Sequence, residues 1–293
     1  MVSNEHHVGT TYGNEWMHRT LIKILRHVNI RILYAIISVF VIPFTLFFSN
    51  GARLTYRYFH SIKGCGKMKS LWMTYRNHTI FGQTVIDKFA MYAGRNFKVT
   101  YIGLDKFKMM TLRPEAMLQL SAHIGCSEIV GYSYDNEKIS NVLVYGGEKE
   151  RMMNYRKAAF KNKHIKMIPV GIGDGHSEEI ITALEKGEIV YAFADRFMNP
   201  RKIIQSRLHD HIINLAKGPF SLAVTRGLDV VMTCAMKESD GSYTAYLTPL
   251  TYDKTVKSSQ QRQQLADAYT KEIERLLNIY PLQWFNYSDV WAN

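Results

Sequence analysis

Cysteine is scarce in this chain, with three in 293 residues: Cys65, Cys126 and Cys234. An odd, widely scattered set of this kind makes neither a disulfide framework nor a Cys-x-x-Cys metal knuckle, and it points to a reducing compartment. Acidic side chains are also short, 25 against 37 Lys and Arg, which leaves a formal net charge of +12. No Gly-x-Ser-x-Gly elbow occurs, which speaks against a serine-type α/β hydrolase. Internal repeats, low-complexity tracts and Gly/Ser linkers are missing too, so the sequence reads as one body rather than two. With 46% hydrophobic and 21% charged residues, the composition is globular and excludes intrinsic disorder and collagen-like repeats. The basic excess matches three classes of anionic partner: nucleic acid, a phospholipid surface or an acidic soluble substrate.

The N-terminal region narrows that choice, because no charged residue stands between Arg31 and Arg53. As a helix this gap would reach roughly 30 Å at about 1.5 Å per residue, close to the hydrocarbon thickness of a bilayer. The run is too long for a secretory signal peptide, begins some distance into the chain and leads into SNGARL rather than a small-x-small cleavage site. The expectation is an uncleaved membrane anchor over about residues 32–49 within an N-terminal segment 1–52, followed by a body over 53–293. A core helix kinked at Pro43 is the alternative. Arg19, Lys23, Arg26 and Arg31 precede the run, and Arg53, Arg57, Lys63, Lys67, Lys69 and Arg76 follow it. By the positive-inside bias the body faces the cytoplasm. Tyr56, Tyr58, Phe59, Trp72 and Tyr75 are interleaved with these cations, a mixture suited to lipid headgroups and also to single-stranded nucleic acid. Beside an anchor, the phospholipid membrane is the expected partner and nucleic acid is not.

From Ser70 onward the pattern alternates in the manner of α/β folds. It predicts a single domain with a mostly parallel or mixed central sheet flanked by helices, behind the N-terminal membrane helix. A helical stripe covers Ser70–Ala93. Strands are predicted at Lys98–Ile102, Met117–Ser121, Asn141–Tyr145, Ile165–Val170, Glu188–Phe193, Asp229–Ala235 and Tyr243–Leu247. Helices are predicted at Ser127–Tyr134, Glu148–Lys163, Ser177–Lys186, Phe220–Arg226 and Ser258–Asn278. A parallel sheet of this type binds its ligand at the carboxyl ends of its strands.

One strand-to-helix junction carries chemistry. Met117–Ser121 runs into Ala122 and then His123-Ile-Gly-Cys-Ser-Glu128, so a histidine and a carboxylate stand at a strand end in the spacing H-x-x-x-x-E. On a continuous helix residues five apart diverge by about 140°, whereas a tight turn at Gly125 lets them meet. Glu128 would then fix the tautomer of His123 while the other ring nitrogen takes a proton, and the helix N-terminal amides would face a developing anion. A structural histidine satisfied by its neighbours is the competing reading. Cys126, three residues from His123, offers a cysteine nucleophile for a thioesterase or ping-pong transferase, against a plain packing role. His209-Asp210-His211 has only two candidate ligands and no third in clear spacing, so no metal is expected. Gly171-Ile-Gly-Asp-Gly175 fits no phosphate-loop pattern and reads as a turn. Asp195-Arg196, at the end of an apolar strand, is either a structural ion pair or a substrate-facing one.

The block SAHIGCSEIVGY, residues 121–132, resembles the H-x-x-x-x-[D/E] block of the bacterial lysophospholipid acyltransferase-like superfamily, and more closely that of the late acyltransferases of lipid A biosynthesis. ALEKGEIVYAFADRF (183–197) is similar to that family's second block, in which an apolar strand leads to an aspartate, here Asp195. AKGPFSLAVTRGLDVV (216–231) and YPLQWFNYSDVW (280–291) resemble its glycine-proline helix and its C-terminal signature, so the likeness covers nearly the whole chain. The chain departs from the family at Cys126, where many relatives carry asparagine or threonine. The basic residue after the second helix is contested among Arg151, Arg156, Lys161 and Lys163.

The resemblance implies a membrane acyltransferase that moves a fatty chain from an acyl-carrier-protein or coenzyme A thioester to a hydroxyl or amine of a lipid acceptor. It gives His123 as base, Glu128 as its support, and Arg156, Asp195 and Arg196 as substrate-binding residues, with neither metal nor redox cofactor. It also implies the bacterial inner membrane, with a lipid A precursor as the acceptor. A non-enzymatic protein that binds anionic lipid or nucleic acid through its basic face is the alternative from another class.

Overall fold

The computed structural model describes residues 15–133, 137–145, 164–170 and 175–292. The predicted helix at Glu148–Lys163 and most of the glycine-rich turn at 171–175 lie outside the described residues.

Helix α1 (Glu15–His27) precedes the apolar run, which is helical from Ile30 to Phe48 as α2 (Ile30–Ile36), a π-helical turn (Ile37–Val41) and α3 (Ile42–Phe48). Pro43 follows directly on the π-helical turn inside this continuous helix, and the chain stays helical through it. After α4 (Asn50–Arg57) comes the long α5 (Lys67–Tyr92). The body then follows: β1 (Val99–Ile102), α6 (Leu104–Thr111), β2 (Met117–Ser121), α7 (Glu128–Ser133), β3 (Ser140–Tyr145), β4 (Ile165–Val170), α8 (Gly175–Glu185) and β5 (Ile189–Phe193). It ends with β6 (Ile203–Leu208), β7 (His211–Ala216), α9 (Lys217–Arg226), β8 (Asp229–Lys237), β9 (Tyr243–Leu250) and α10 (Ser258–Ile279).

Seven strands form one sheet in the order β1-β9-β8-β2-β5-β3-β4. All neighbours are parallel except β8 and β9, which form an antiparallel pair. The mixed sheet agrees with the expected α/β class, and all seven predicted strands are present. The central strand β2 is buried at every position, as a strand covered on both faces must be. On one face Leu118 and Leu120 meet α10, whose Leu265, Tyr269, Ile273 and Leu276 recur at helical spacing and are fully buried. On the other, Met117, Ile189, Val231 and Leu247 close over Phe107 of α6.

The hairpin β6–β7 was absent from the sequence reading. It turns on His209 and Asp210, with φ of 50° and 63°. Two successive residues at positive φ are what a tight two-residue hairpin demands, and Asn-Gly or Asp-Gly usually signals them. Here the His209-Asp210-His211 triplet is that turn. The His209 ring lies within hydrogen-bond reach of the Tyr58 hydroxyl at 3.2 Å and sits 3.4 Å from Glu274.

Behind the sheet, a charged group is buried where α5 meets β8. Asp87 is fully buried and accepts short hydrogen bonds from Lys237, Tyr34 and Tyr243; Lys237 Nζ is also 3.1 Å from the Tyr34 hydroxyl. An isolated carboxylate would be costly there, and the ammonium with two phenols makes it tolerable. Asp87→Ala is expected to destabilise the fold by about 3–5 kcal/mol, because it strands the Lys237 charge in the interior. Chemical denaturation of the purified protein in detergent checks this. A change below 1 kcal/mol would mean that Lys237 reaches water once Asp87 is gone.

Candidate active site

Register brings the chemistry together. Ser121 of β2 pairs with Phe193 of β5, and both parallel strands end there. His123 and Asp195 each stand two residues beyond that pair, side by side at the carboxyl edge of the sheet. The Nδ1 atom of His123 is 2.8 Å from Asp195 Oδ1, and the backbone N–H of His123 donates to Oδ2 at 2.9 Å. One carboxylate thus holds both the ring and the backbone of the same residue. The His123 side chain is 30% exposed and that of Asp195 is 0%, so the ring is reachable from outside while its partner is not.

The partner is Asp195 from a distant strand, not Glu128 five residues on. The turn after β2 explains the difference. Gly125 has φ of +60°, and a Cβ there would lie 2.0 Å from the carbonyl oxygen of Ala235. That close approach ties the loop to β8, with Cys126 N–H donating to the same carbonyl at 2.8 Å. Beyond the turn, Glu128 opens α7 and accepts from Lys88 of α5 at 2.7 Å. Glu128 is therefore engaged with a lysine at the helix start, and Asp195 takes the orienting position at Nδ1.

The carboxylate is well supplied with donors. Trp284 Nε1 and Asn286 Nδ2 approach Oδ2 at 3.4 and 3.3 Å, and Asn286 Nδ2 donates to the Asp195 carbonyl at 2.6 Å. Burial alone would raise the Asp195 pKa. The His123 ring and its hydrogen bonds, with Arg196 beside them, prevail and hold it below the ordinary carboxylate value. An ionised carboxylate only accepts, so Nδ1 is the ring nitrogen that donates to it and Nε2 is the one left facing away from Asp195. On its other side the ring rests against Phe193, with centroids 4.7 Å apart.

The other sequence-predicted residues divide. The Arg196 guanidinium donates to Asn286 Oδ1 at 3.0 Å and to the Phe285 carbonyl at 2.8 Å. It ties the end of β5 to the C-terminal segment through these two bonds. Arg156 lies outside the described residues, as do Arg151, Lys161 and Lys163. Cys126 is fully buried; desolvation, then the charges of Glu128 and Asp87, push its thiol well above its usual value. A thiol kept protonated in this way is a poor nucleophile.

Sequence reasoning missed the clamp formed by Gln283–Asn286. The Gln283 carbonyl accepts from Gly125, the Phe285 N–H donates to the His123 carbonyl at 2.7 Å, and Ile124 bridges to Trp284. Trp284, Trp291 and Asn286 within the last dozen residues were the available signal, but spacing could not say what they touch.

The depressed Asp195 value has a consequence for acid stability. A carboxylate whose folded pKa lies below its unfolded value adds stability at neutral pH, and loses it as pH falls through the folded value. Asp195→Asn is therefore expected to lower the melting temperature at pH 7 and to leave it less sensitive to acid between about pH 5 and 3. Scanning calorimetry of both proteins across that range checks it; parallel curves would mean that Asp195 is not the ionised member of the pair.

The sequence matches the family described as "Bacterial lipid A biosynthesis acyltransferase" over residues 78–291. No match was found among curated proteins. The matched span begins within α5 and contains β2, the His123 turn, β5 with Asp195 and the C-terminal clamp, and so covers most of the chain. With its site at the carboxyl edge of the sheet, the chain belongs to the bacterial lipid A biosynthesis acyltransferase family and is an acyltransferase.

Proposed function

We propose that His123 is the general base of acyl transfer from an acyl-carrier-protein or coenzyme A thioester to a hydroxyl of a lipid A precursor, on the cytoplasmic face of the bacterial inner membrane. The observation that carries this reading is the hydrogen bond from Nδ1 to a buried, ionised Asp195, which leaves Nε2 able to take a proton in a part-exposed ring. As the acceptor oxygen bonds to the thioester carbonyl carbon, its proton passes to Nε2. Asp195 stabilises the imidazolium. The tetrahedral adduct then collapses, the C–S bond breaks, and the thiolate leaves with that proton. A thioester is already activated, so no acyl-enzyme is needed; positioning and a base supply the rate. Neither a metal nor a redox cofactor has a part in this sequence of steps.

Glu128 and Lys88, paired at the start of α7 beside the His123 turn, support the loop from below. The net charge of +12 suits both the acidic carrier protein and the phosphorylated acceptor. A Cys126-dependent thioesterase has the thiol chemistry against it, and a purely lipid- or nucleic-acid-binding role leaves the His123–Asp195 pair without a purpose.

The test is transfer of radiolabel from acyl carrier protein into a bacterial membrane lipid extract. His123→Ala is expected to lower turnover by about 10²–10⁴-fold, the usual contribution of a positioned base. Asp195→Asn should approach that loss while substrate KM changes little, and Cys126→Ala should stay within a few-fold of the parent. Full activity in the His123 variant would remove the general-base reading, and loss of activity in the Cys126 variant with the fold intact would restore the cysteine nucleophile.

A further inference from the structure

Both flanks of the apolar stretch Ile30–Phe48 are fixed to one body. Before it, α1 seats Ile22 and the fully buried Leu25 against Ile86, Phe89 and Ala90 of α5. Arg95, just past α5, donates to the carbonyls of Leu25 at 2.6 Å and Val28 at 2.5 Å, securing the end of α1. After it, α4 buries Ala52 and Thr55, and Gly51 lies so close to Tyr287 that a Cβ would stand 3.1 Å from that side chain.

The stretch itself is held along its length. Tyr34 reaches Asp87 and Lys237, Ile37 lies over Gly82 within 2.8 Å of where a Cβ would stand, and the Tyr75 hydroxyl donates to the Ser38 carbonyl at 3.1 Å. Positions 34, 37 and 38 thus meet 87, 82 and 75, an antiparallel course along α5.

Among the described residues, none covers the opposite face. Ile32, Ile36, Phe40, Phe44 and Phe47 recur at helical spacing and are exposed, Phe40 by 71% and Phe47 by 81%. Met68, Leu71 and Trp72 of α5 are exposed as well. Exposed cations rim this surface: Arg31 and Arg53 at the ends of the stretch, Lys67, Lys69 and Arg76 on α5, the last with its guanidinium 5.7 Å from the centre of the Trp72 ring. Apolar side chains bordered by Lys, Arg and Trp suit the boundary between acyl chains and anionic headgroups.

A crossing helix must place its flanks on opposite sides of roughly 30 Å of hydrocarbon. Here both flanks grip the same globular body, and crossing would draw the Asp87–Lys237 pair into the bilayer, at a cost of several kcal/mol. We propose that α2–α3 lie in one leaflet of an anionic phospholipid membrane, outer face immersed and inner face retained by α5, without crossing it. The proposal rests on the membrane association of the preceding reading and specifies its geometry.

Two measurements on the full chain in native membranes test it. In a Cys65→Ser background, the Ile37→Cys/Gly82→Cys pair is oxidised and digested with trypsin. The docked arrangement is expected to join the peptides 32–53 and 77–88 in most of the protein. Separately, the exposed positions Lys23 and Lys67 are changed singly to cysteine and probed with an impermeant maleimide before and after permeabilisation. Both are expected to label from the same side. Labelling from opposite sides, or no joined peptides, would overturn the one-leaflet arrangement. Failure of the parent protein to float with vesicles of phosphatidylethanolamine and phosphatidylglycerol would instead remove the membrane reading beneath it.

Discussion

Everything at the site hangs on one buried carboxylate. Asp195 is out of contact with water, and an anion in that position persists only if donors surround it. The His123 ring, the His123 amide, Trp284 and Asn286 supply them. The same four contacts join three parts of the chain that are far apart in sequence: the turn after β2, the end of β5 and the segment after α10. A charge that must be neutralised by geometry is therefore also what fixes the geometry. The ring is oriented because the carboxylate needs it, and Nε2 is left available as a result.

The surrounding architecture serves that arrangement. Tyr269 of α10 donates to the Ser121 carbonyl at 2.7 Å, one residue before Ala122, and so steadies the strand end from the opposite layer. Ser121 in turn donates to the Thr233 carbonyl of β8 at 2.8 Å. The loop bearing His123 is thus held from β8, from α10 and from the C-terminal clamp, while its ring stays part-exposed.

Much of this was legible in the sequence. Alternating apolar runs located all seven strands of the main sheet, because strands covered on both faces are near-continuously hydrophobic. His123 stood out because a glycine turn at a strand end is where chemistry collects. What could not be read was who partners the ring. Spacing favoured Glu128, since local separation is all that a linear text displays, and the true partner at Nδ1 comes from pairing β2 with β5. The same holds for Arg196: its location at a strand end was visible, its bonds to Asn286 and Phe285 were not. The β6–β7 hairpin escaped because His209-Asp210 is an unusual pair for a turn with two positive φ angles. The apolar stretch has the length of a span, and Tyr34, the residue that ties its inner face to a buried ion pair, reads in the sequence as one polar group in a hydrophobic run.

The placement of β5 between β2 and β3 has a consequence in time. His123 and Asp195 are joined by strands that are distant in sequence, and the clamp that completes the donor set is added after α10. Contacts of that separation form late, since loop-closure entropy must be met first. During synthesis the His123 turn leaves the ribosome well before Asp195, and Asn286 emerges later still. A nascent chain therefore carries the His123 imidazole without its carboxylate partner. The donor set around Asp195 is complete only when synthesis is nearly finished, so an incomplete chain that has already reached lipid holds His123 without a fixed orientation.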